Sequence, residues 1–315
     1  MTKPMKRMVL ICLLQPLVAC TVVSPLTDEF KVLSEVPLAP AKLVAFDTSD
    51  GLELAYRAYV PKTQPKAVLV FYHGSGVHSG AGYQTMGHRL QQLGIATYMP
   101  DIRGHGHSQG DRGDTTEPER IWQDAEEFIE FAHAQHPGLA LTVGGHASGA
   151  GLTLNVLDSM SKPLPVDGVV MLAPYFGYGA ATENEANDMP FANPDFSKFL
   201  LNGVNDDWFE HSPAVGFNYP DIVRDQDPQL IDSMTIAMSK ALTPEDPGEA
   251  LAGIEVPIGI WLGEDDVEFD TAKVVQFVLD ANPKAELTVV DDEGHLTVML
   301  SSAEAIAQWV LGLGQ

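Results

Sequence analysis

Two apolar runs near the C-terminus each end in residues that could carry out acid–base chemistry. The run Pro257–Leu262 is followed by Gly-Glu-Asp-Asp, which ends at Asp265 and Asp266. The run Glu286–Val290 is followed by Asp-Asp-Glu-Gly-His, which ends at His295. Adjacent parallel strands end at the same edge of a sheet, so a carboxylate and the imidazole could pair there, and the carboxylate would fix the imidazole tautomer. Either aspartate could be that partner, and Asp266 is the first choice.

Further upstream, an apolar run leads into a glycine-flanked turn of the kind that presents a nucleophile. The run Leu141–Val143 is followed by Gly-Gly-His-Ala-Ser-Gly-Ala-Gly and then by small and apolar residues that favour a helix. This is the strand–turn–helix setting of Gly-x-Ser-x-Gly, in which glycines permit close packing around a strained nucleophile. Gly145 and Gly149 occupy the glycine positions, whereas Ala147 stands where the motif has serine.

Two glycine-rich segments could complete such a site. The segment 73–76, His-Gly-Ser-Gly, follows the run Ala67–Tyr72, and a turn of this kind can leave a backbone amide free to donate to an oxyanion. The segment Asp101–Gly113 also follows an apolar run, and its aspartate and arginine side chains could order one another. His105 and His107 in this segment have the spacing of some metal ligands, but no further ligands are evident, so we expect no metal.

Taken together and in this order, the motifs resemble the α/β-hydrolase fold, and within it the group of monoacylglycerol lipases, lysophospholipases and serine aminopeptidases. The resemblance covers about Leu43 to Leu313 and rests on the turn at 73–76, Asp-x-Arg-Gly-His-Gly-x-Ser, Gly-Gly-His-x-Ser-Gly, Gly-Glu-x-Asp and Glu-Gly-His. It implies a serine-hydrolase framework for a small ester or lipid substrate, working through an acyl-enzyme and without a cofactor.

Carried over residue by residue, the resemblance implies that Asp266 is the triad acid and His295 the general base. It implies that the backbone N–H groups of Ser75 and Ser148 form the oxyanion hole. Ala147 departs from the pattern, because an alanine gives the base nothing to activate. Ser148 is a poor substitute, since adjacent Cα atoms lie about 3.8 Å apart, their side chains diverge, and its amide is needed for the oxyanion. We therefore expect an inactive chain, either an engineered variant or a natural pseudoenzyme.

Two other functions fit the same residues. A chain without a nucleophile could be a non-catalytic envelope lipoprotein that binds a small ester or lipid. The resemblance also includes aminopeptidases, and acidic residues in the irregular region after Ala173 could attract a cationic peptide N-terminus. These residues are Glu183, Glu185, Asp188, Asp206 and Asp207. A solvated acidic face is the simpler interpretation of them.

The elements that must position these residues alternate along the chain. Two β-rich runs come first, and later runs are separated by helical patterns, such as the apolar stripe of Ile121–Ala132. This order predicts a mostly parallel sheet with helices on both faces. A proline-rich, irregular stretch at about 174–253 predicts an inserted cap. The predicted strands are Lys42–Phe46, Leu52–Val60, Ala67–Tyr72, Ile95–Met99, Leu141–Val143, Gly168–Leu172, Pro257–Leu262 and Glu286–Val290.

The N-terminal residues 1–19 predict a bacterial lipoprotein signal peptide. Basic residues precede an apolar stretch that is too short for a permanent membrane span. The stretch ends in Leu-Val-Ala-Cys, which resembles a lipobox and implies cleavage before Cys20 and lipidation of that cysteine. Thr21, rather than an aspartate, follows the cysteine, and the resemblance to Gram-negative lipoproteins then implies the outer membrane. Residues 20–41 are expected to form an extended tether to a hydrolase domain at 42–315.

Composition limits the remaining possibilities. The 315 residues are 45% hydrophobic and 19% charged, which suits one large globular domain and excludes disorder along the whole chain. The formal net charge of −25 would repel nucleic acid and anionic lipid headgroups, so neither is an expected partner. The two cysteines, Cys12 and Cys20, are too few for a disulfide-rich scaffold or a four-cysteine zinc site.

Overall fold

An eight-stranded sheet forms the centre of the computed structural model, which describes residues 26–159, 163–204 and 208–314. Its strands are β1 Leu43–Asp47, β2 Glu53–Tyr59, β3 Ala67–Tyr72, β4 Ile95–Pro100, β5 Leu141–His146, β6 Gly168–Leu172, β10 Ile258–Gly263 and β11 Glu286–Val290. Across the sheet they lie in the order β1-β2-β4-β3-β5-β6-β10-β11. The strand β2 pairs antiparallel with β1 and with β4, whereas the other neighbouring strands pair parallel. This confirms the predicted mostly parallel sheet.

Helices cover both faces of the sheet, as predicted. Alternate residues of β3 serve the two faces: Val68 and Val70 belong to one buried cluster, and Leu69 and Phe71 to the other. One face is covered by α3 Pro118–Gln135, α4 Ser148–Ser159, α7 Ile236–Leu242, α8 Pro247–Gly253 and α9 Thr271–Ala281. The other face is covered by α1 Thr27–Ser34, α2 Gln84–Gln92, α10 Val298–Ser301 and α11 Ala303–Gly312. Because β3 is buried on both faces, it reads as a continuous apolar run.

The chain between β6 and β10 includes the stretch at about 174–253 for which a cap was predicted. Its outer part has a 3₁₀ turn, three short antiparallel strands and two helices, namely Tyr178–Ala180, β7 Ala192–Pro194, α5 Phe196–Val204, β8 Pro213–Phe217, α6 Asp221–Gln226 and β9 Ser233–Thr235. We call this outer part the cap. The helices α7 and α8 follow it, and both pack against α4 of the main domain. Their buried Leu242 and Leu251 continue the main core, which is why these helices belong to it rather than to the cap.

The prediction of an extended tether is wrong for residues 27–34, which form the helix α1. Leu26, Phe30 and Leu33 recur at helical spacing, and all three pack against the buried cluster of the α1 face. The expectation failed because the prolines of this region lie outside the helix and do not interrupt it. Within the described residues, no helix is long and apolar enough to cross a membrane. The predicted signal peptide and Cys20 lie outside the described residues.

Candidate active site

Ala147 lies at the tight turn between β5 and α4, with a positive φ of 49°. Its N–H donates to the carbonyl oxygen of Leu172 at 3.0 Å. A Cβ added to Gly145 would lie 2.3 Å from the carbonyl carbon of Gly149, and one added to Gly149 would lie 2.4 Å from the carbonyl oxygen of Tyr72. The backbone therefore approaches both flanking glycines too closely for a side chain, and this explains why the motif has glycine at these two positions.

His295 and Asp266 form a buried hydrogen-bonded pair beside this turn. Nδ1 of His295 donates to Oδ2 of Asp266 at 2.9 Å. The other oxygen, Oδ1, accepts from the backbone N–H groups of Glu268 at 2.8 Å and Phe269 at 3.0 Å, so the carboxylate is fixed from both sides. Asp265 is exposed, whereas Asp266 is buried. Of the two aspartates left open by the sequence, Asp266 is the partner of His295.

Three carboxylates surround His295 and favour its protonated form. Burial by itself would lower the pKa of His295, but the charge and hydrogen bond of Asp266, with the charges of Glu268 and Glu29, raise it to about 9. Glu268 is held by Asn187 Nδ2 and by the N–H of Phe191. The imidazolium that arises when a histidine takes up a proton is thus stabilised in this environment.

The predicted oxyanion hole is partly filled by a side chain of the protein itself. The N–H of Ser75 donates to Oγ of Ser148 at 2.5 Å. Ser148 is buried at the N-terminus of α4, directly after Ala147. Within the described residues, no hydrogen bond joins Ser148 to His295. Its hydroxyl therefore faces the oxyanion turn and not the base, which agrees with its being a poor substitute nucleophile.

A buried relay of hydrogen bonds connects the oxyanion turn with His295. The N–H of Gly74 donates to the hydroxyl of Tyr83 at 2.9 Å, and that hydroxyl donates to Nδ1 of His146 at 3.0 Å. Nε2 of His146 donates in turn to the carbonyl oxygen of His295 at 3.0 Å. Burial lowers the pKa of His146 to about 3, so its ring is neutral and can accept on one side and donate on the other. Sequence reasoning missed Tyr83, because no motif marks its position.

In the glycine-rich segment 101–113, Asp101 and Arg103 were expected to order one another, but they bind other partners. Arg103 does not pair with Asp101 but with Asp124, at 2.6 Å, and with Asp50, at 3.0 Å. Asp101 instead accepts from two backbone N–H groups, those of Ser79 at 2.8 Å and His107 at 2.9 Å. Asp101 therefore anchors the loop after the oxyanion turn rather than pairing with the arginine of its own segment.

The two histidines of that segment do not come together as metal ligands. Nδ1 of His105 lies against the carbonyl oxygen of Arg103. Potential ligand atoms of His78, Asp101 and His107 lie within 4.8 Å of one another. Both nitrogens of His78 are already engaged, one by Asp227 at 2.8 Å and the other by a backbone N–H. These contacts are those of a hydrogen-bonded cluster, and the absence of a metal stays a prediction.

A cavity of about 1620 Å³ opens over the turn and the base. Ser75, Ala147, Ser148 and His295 all line it. Polar and acidic residues line the rest of it together with seven aromatic residues, namely Trp122, Tyr175, Tyr178, Phe191, Phe196, Phe199 and Phe269. Most of these aromatic residues come from the cap and from the segment just before it. The cavity therefore offers both apolar rings and the polar groups of the turn.

The acidic residues that were predicted to attract a cation are not grouped around this cavity. Glu183 lines it, and Oε1 of Glu183 is buried without a hydrogen-bond partner among the described residues. Glu185 is exposed and pairs with Lys273 at 3.0 Å. Asp188 is exposed and lies outside the cavity lining. Asp206 and Asp207 lie outside the described residues.

Comparisons with known proteins agree with this geometry. The family model described as "Serine aminopeptidase, S33" matches residues 63–299. Monoglyceride lipase of Mus musculus is 24% identical over 217 residues, which are 68% of this chain and 62% of that protein. Monoacylglycerol lipase of Mycolicibacterium smegmatis is 32% identical over 102 residues, which are 32% of this chain and 36% of that protein. The chain thus spans less than two thirds of the length of these curated relatives.

Solved structures share the fold over most of the chain. Monoacylglycerol lipase from Paleococcus ferrophilus superposes with a TM-score of 0.63 at 19% identity, covering 82% of this chain and 99% of that chain. A soluble variant of monoglyceride lipase from Saccharomyces cerevisiae gives 0.64 at 17% identity, covering 89% and 97%. At these identities the likeness shows the α/β-hydrolase fold alone. The family match covers most of the sequence, and the chain therefore belongs to the serine aminopeptidase S33 family of α/β hydrolases.

Proposed function

We propose that this chain is the framework of a carboxylic-ester hydrolase for lipid-like or small acyl esters, inactive as written because Ala147 occupies the nucleophile position. One observation carries the proposal. Ala147 lies at a strained turn, with φ of 49°, in the same cavity as His295, whose Nδ1 is held by Asp266. A strained turn facing a carboxylate-held imidazole is the arrangement in which a serine hydroxyl is activated.

With serine at position 147, the reaction would follow from these contacts. Nε2 of His295 takes the hydroxyl proton as the serine oxygen attacks the ester carbonyl. The amides of Ser75 and Ser148 receive the oxyanion of the tetrahedral intermediate, and Asp266 stabilises the imidazolium. The alcohol leaves with the proton from His295, and water then hydrolyses the acyl-enzyme by the same steps. Without the serine oxygen, no acyl-enzyme bond can form.

Three observations support a lipid-like substrate. Aromatic side chains line the cavity, and the relatives reported above are named as monoglyceride or monoacylglycerol lipases. The cap also carries large apolar side chains that are exposed, with Phe196 58%, Leu200 70%, Val204 69% and Trp208 85% accessible. Phe196 belongs both to this surface and to the cavity lining. An apolar surface that continues into the cavity suits a substrate delivered from an apolar phase.

The test is to restore the serine. We expect Ala147→Ser to hydrolyse p-nitrophenyl esters at least about 10³-fold faster than the chain as written. Ala147→Gly is the matched control, because it changes the same turn without adding a nucleophile. A panel of acyl chain lengths would define the substrate preference. A folded Ala147→Ser protein without any gain in activity would refute the proposal. Saturable ester binding by the unmodified chain, measured by calorimetry, would then favour a non-catalytic binding protein.

Glu183 favours one second candidate, an aminopeptidase-like hydrolase. Its unpartnered buried oxygen at the cavity wall could accept from a substrate ammonium group. In the Ala147→Ser background, this candidate predicts faster hydrolysis of aminoacyl amides than of neutral acyl esters, and loss of that preference in Glu183→Gln. Glu185→Gln is the matched control, because Glu185 is exposed and already paired. A preference for neutral esters in all variants would exclude this candidate.

We also propose that the chain is a lipoprotein of the bacterial cell envelope, anchored in the outer membrane through Cys20. The sequence of residues 1–20 supports this proposal. Cys20→Ser should release the protein from the membrane fraction and abolish an acyl mass increment in mass spectrometry. Cys12→Ser is the matched control and should change neither. An unmodified Cys20 in protein purified from membranes would overturn the proposal.

A further inference from the structure

The helix α1 binds directly to the loop that carries the base. Oε2 of Glu29 accepts from the N–H of Leu296 at 2.7 Å and from the N–H of Thr297 at 3.1 Å. These are the two residues that follow His295. Gly294 packs closely against the same carboxylate, because a Cβ added to Gly294 would lie 2.4 Å from Oε1 of Glu29. Glu29 therefore contacts the loop on both sides of His295.

The same helix also contacts the cap and the oxyanion region. The ring of Phe30 lies 6.0 Å from that of Phe191 and 6.4 Å from that of Tyr219, both in the cap. On the next turn of the helix, the side chain of Leu33 packs against Gly82, the residue before Tyr83. A Cβ added to Gly82 would lie 3.0 Å from Cδ1 of Leu33. One short helix thus joins the base loop, the cap and the support of the oxyanion turn.

We propose that Glu29 is a positioning residue for His295. Its carboxylate fixes the backbone of the base loop through two hydrogen bonds, and its negative charge favours the imidazolium that forms during catalysis. Glu29 touches neither the substrate nor the reacting atoms, so it acts only through the loop and the imidazole. This role rests on the proposed hydrolase function.

The location of the Glu29 carboxylate supports an electrostatic role as well as a packing role. Burial raises the pKa of Glu29, while the two backbone hydrogen bonds and the charge of His295 act in the opposite direction. Burying a carboxylate is costly unless its oxygens find donors, and an apolar side chain would fill the same space without that cost. The other groups that face His295 are Asp266, Glu268 and His146. Of the three carboxylates, Glu29 alone comes from α1, whereas Asp266 and Glu268 both follow β10.

Two substitutions separate the hydrogen bonds of Glu29 from its charge. In the Ala147→Ser background, we expect Glu29→Ala to lower kcat roughly ten- to hundredfold with little change in KM, because the base loop loses its anchor. Glu29→Gln keeps an oxygen that can accept both N–H groups, so it should retain most of kcat. It should also shift the midpoint of the pH–rate profile to lower pH, because the charge is lost. Asp28→Asn, on the exposed side of the same turn, is the matched control and should change neither.

A purely structural role for Glu29 would give a different result. Glu29→Ala would then lower the melting temperature while kcat per folded molecule and the pH profile stayed unchanged, and this outcome would overturn the proposal. NMR titration of His295 in the chain as written gives a readout that needs no activity. Its pKa should fall in both Glu29→Ala and Glu29→Gln and stay constant in Asp28→Asn. If Ala147→Ser is inactive, the hydrolase proposal fails, and an unchanged pKa of His295 would refute the role of Glu29 separately.

Discussion

The hydroxyl of Ser148 is bonded to an N–H donor that the proposed reaction needs, and its removal should make the Ala147→Ser variant faster. In the structure, the N–H of Ser75 donates to this hydroxyl at 2.5 Å. A substrate oxyanion at the same place would have to displace it. The informative change is therefore Ser148→Ala combined with Ala147→Ser. The backbone N–H of residue 148 is kept in this variant, so the second expected donor is unaffected.

The magnitude follows from the value of one hydrogen bond. A neutral intramolecular hydrogen bond contributes about 0.5–1.5 kcal/mol net. If this contribution must be given up before the oxyanion binds, removal of the hydroxyl should raise kcat/KM by about two- to twelvefold, at about 1.4 kcal/mol per tenfold. A larger gain would mean that the hydroxyl also obstructs the carbonyl group of the substrate.

The assay compares Ala147→Ser with the double variant on one soluble p-nitrophenyl ester, with the active-site concentration set by titration of the acyl-enzyme burst. Thermal unfolding of both proteins checks that each is folded at the assay temperature. A rate equal to that of Ala147→Ser would mean that the hydroxyl rotates away at no cost. A lower rate would mean that the hydroxyl itself donates to the oxyanion, and either result would refute the reasoning.

Four further predictions concern the same site. Ala147→Gly should raise the free energy of unfolding by about 1 kcal/mol in a denaturant titration, because alanine at φ 49° is strained and glycine is not; a loss of stability would contradict this. Tyr83→Phe should lower the free energy of unfolding by roughly 2 kcal/mol, because it leaves the Gly74 N–H and Nδ1 of His146 unpaired in the interior, and an unchanged midpoint would show that water replaces the hydroxyl. Because the pKa of His295 is raised from 6.5 to about 9, kcat/KM of Ala147→Ser should increase with pH up to a midpoint near 9 as the imidazole becomes neutral. The same shift stabilises the folded protein fully below pH 6.5, and this stabilisation, on the order of 3 kcal/mol, should be lost as pH rises from 6.5 through 9; a flat stability profile over this range would count against the shift.

The sheet and the turn at Ala147 were predictable because their causes are local. β3 and β6 are continuous apolar runs, and the structure gives them the predicted bounds, Ala67–Tyr72 and Gly168–Leu172. Gly145 approaches the backbone of Gly149, four residues along the chain, which leaves a fixed spacing in the sequence, whereas Gly149 itself approaches the backbone of Tyr72. Local patterns of this kind are readable without knowledge of the rest of the fold.

Other features depend on contacts between distant parts of the chain. Asp265 and Asp266 are chemically identical neighbours, and only the direction in which each side chain leaves the strand end makes Asp266 the partner of His295. Arg103 pairs with carboxylates 53 and 21 residues away, which its own segment does not reveal. The helix α1 is polar on most of its surface, and its few apolar contacts make sense only once the base loop and the cap are in place.

The location of α1 has a consequence for how a substrate would reach the cavity. Leu26, the first described residue, is six residues after Cys20, and six residues span at most roughly 20 Å even when fully extended. With Cys20 acylated as proposed, the start of α1, the helix that contacts the base loop, would be held within roughly 20 Å of the membrane surface. Substrate would then be collected by diffusion within that membrane, so its mole fraction among the surrounding lipids, and not its solubility in water, would set the occupancy of the cavity.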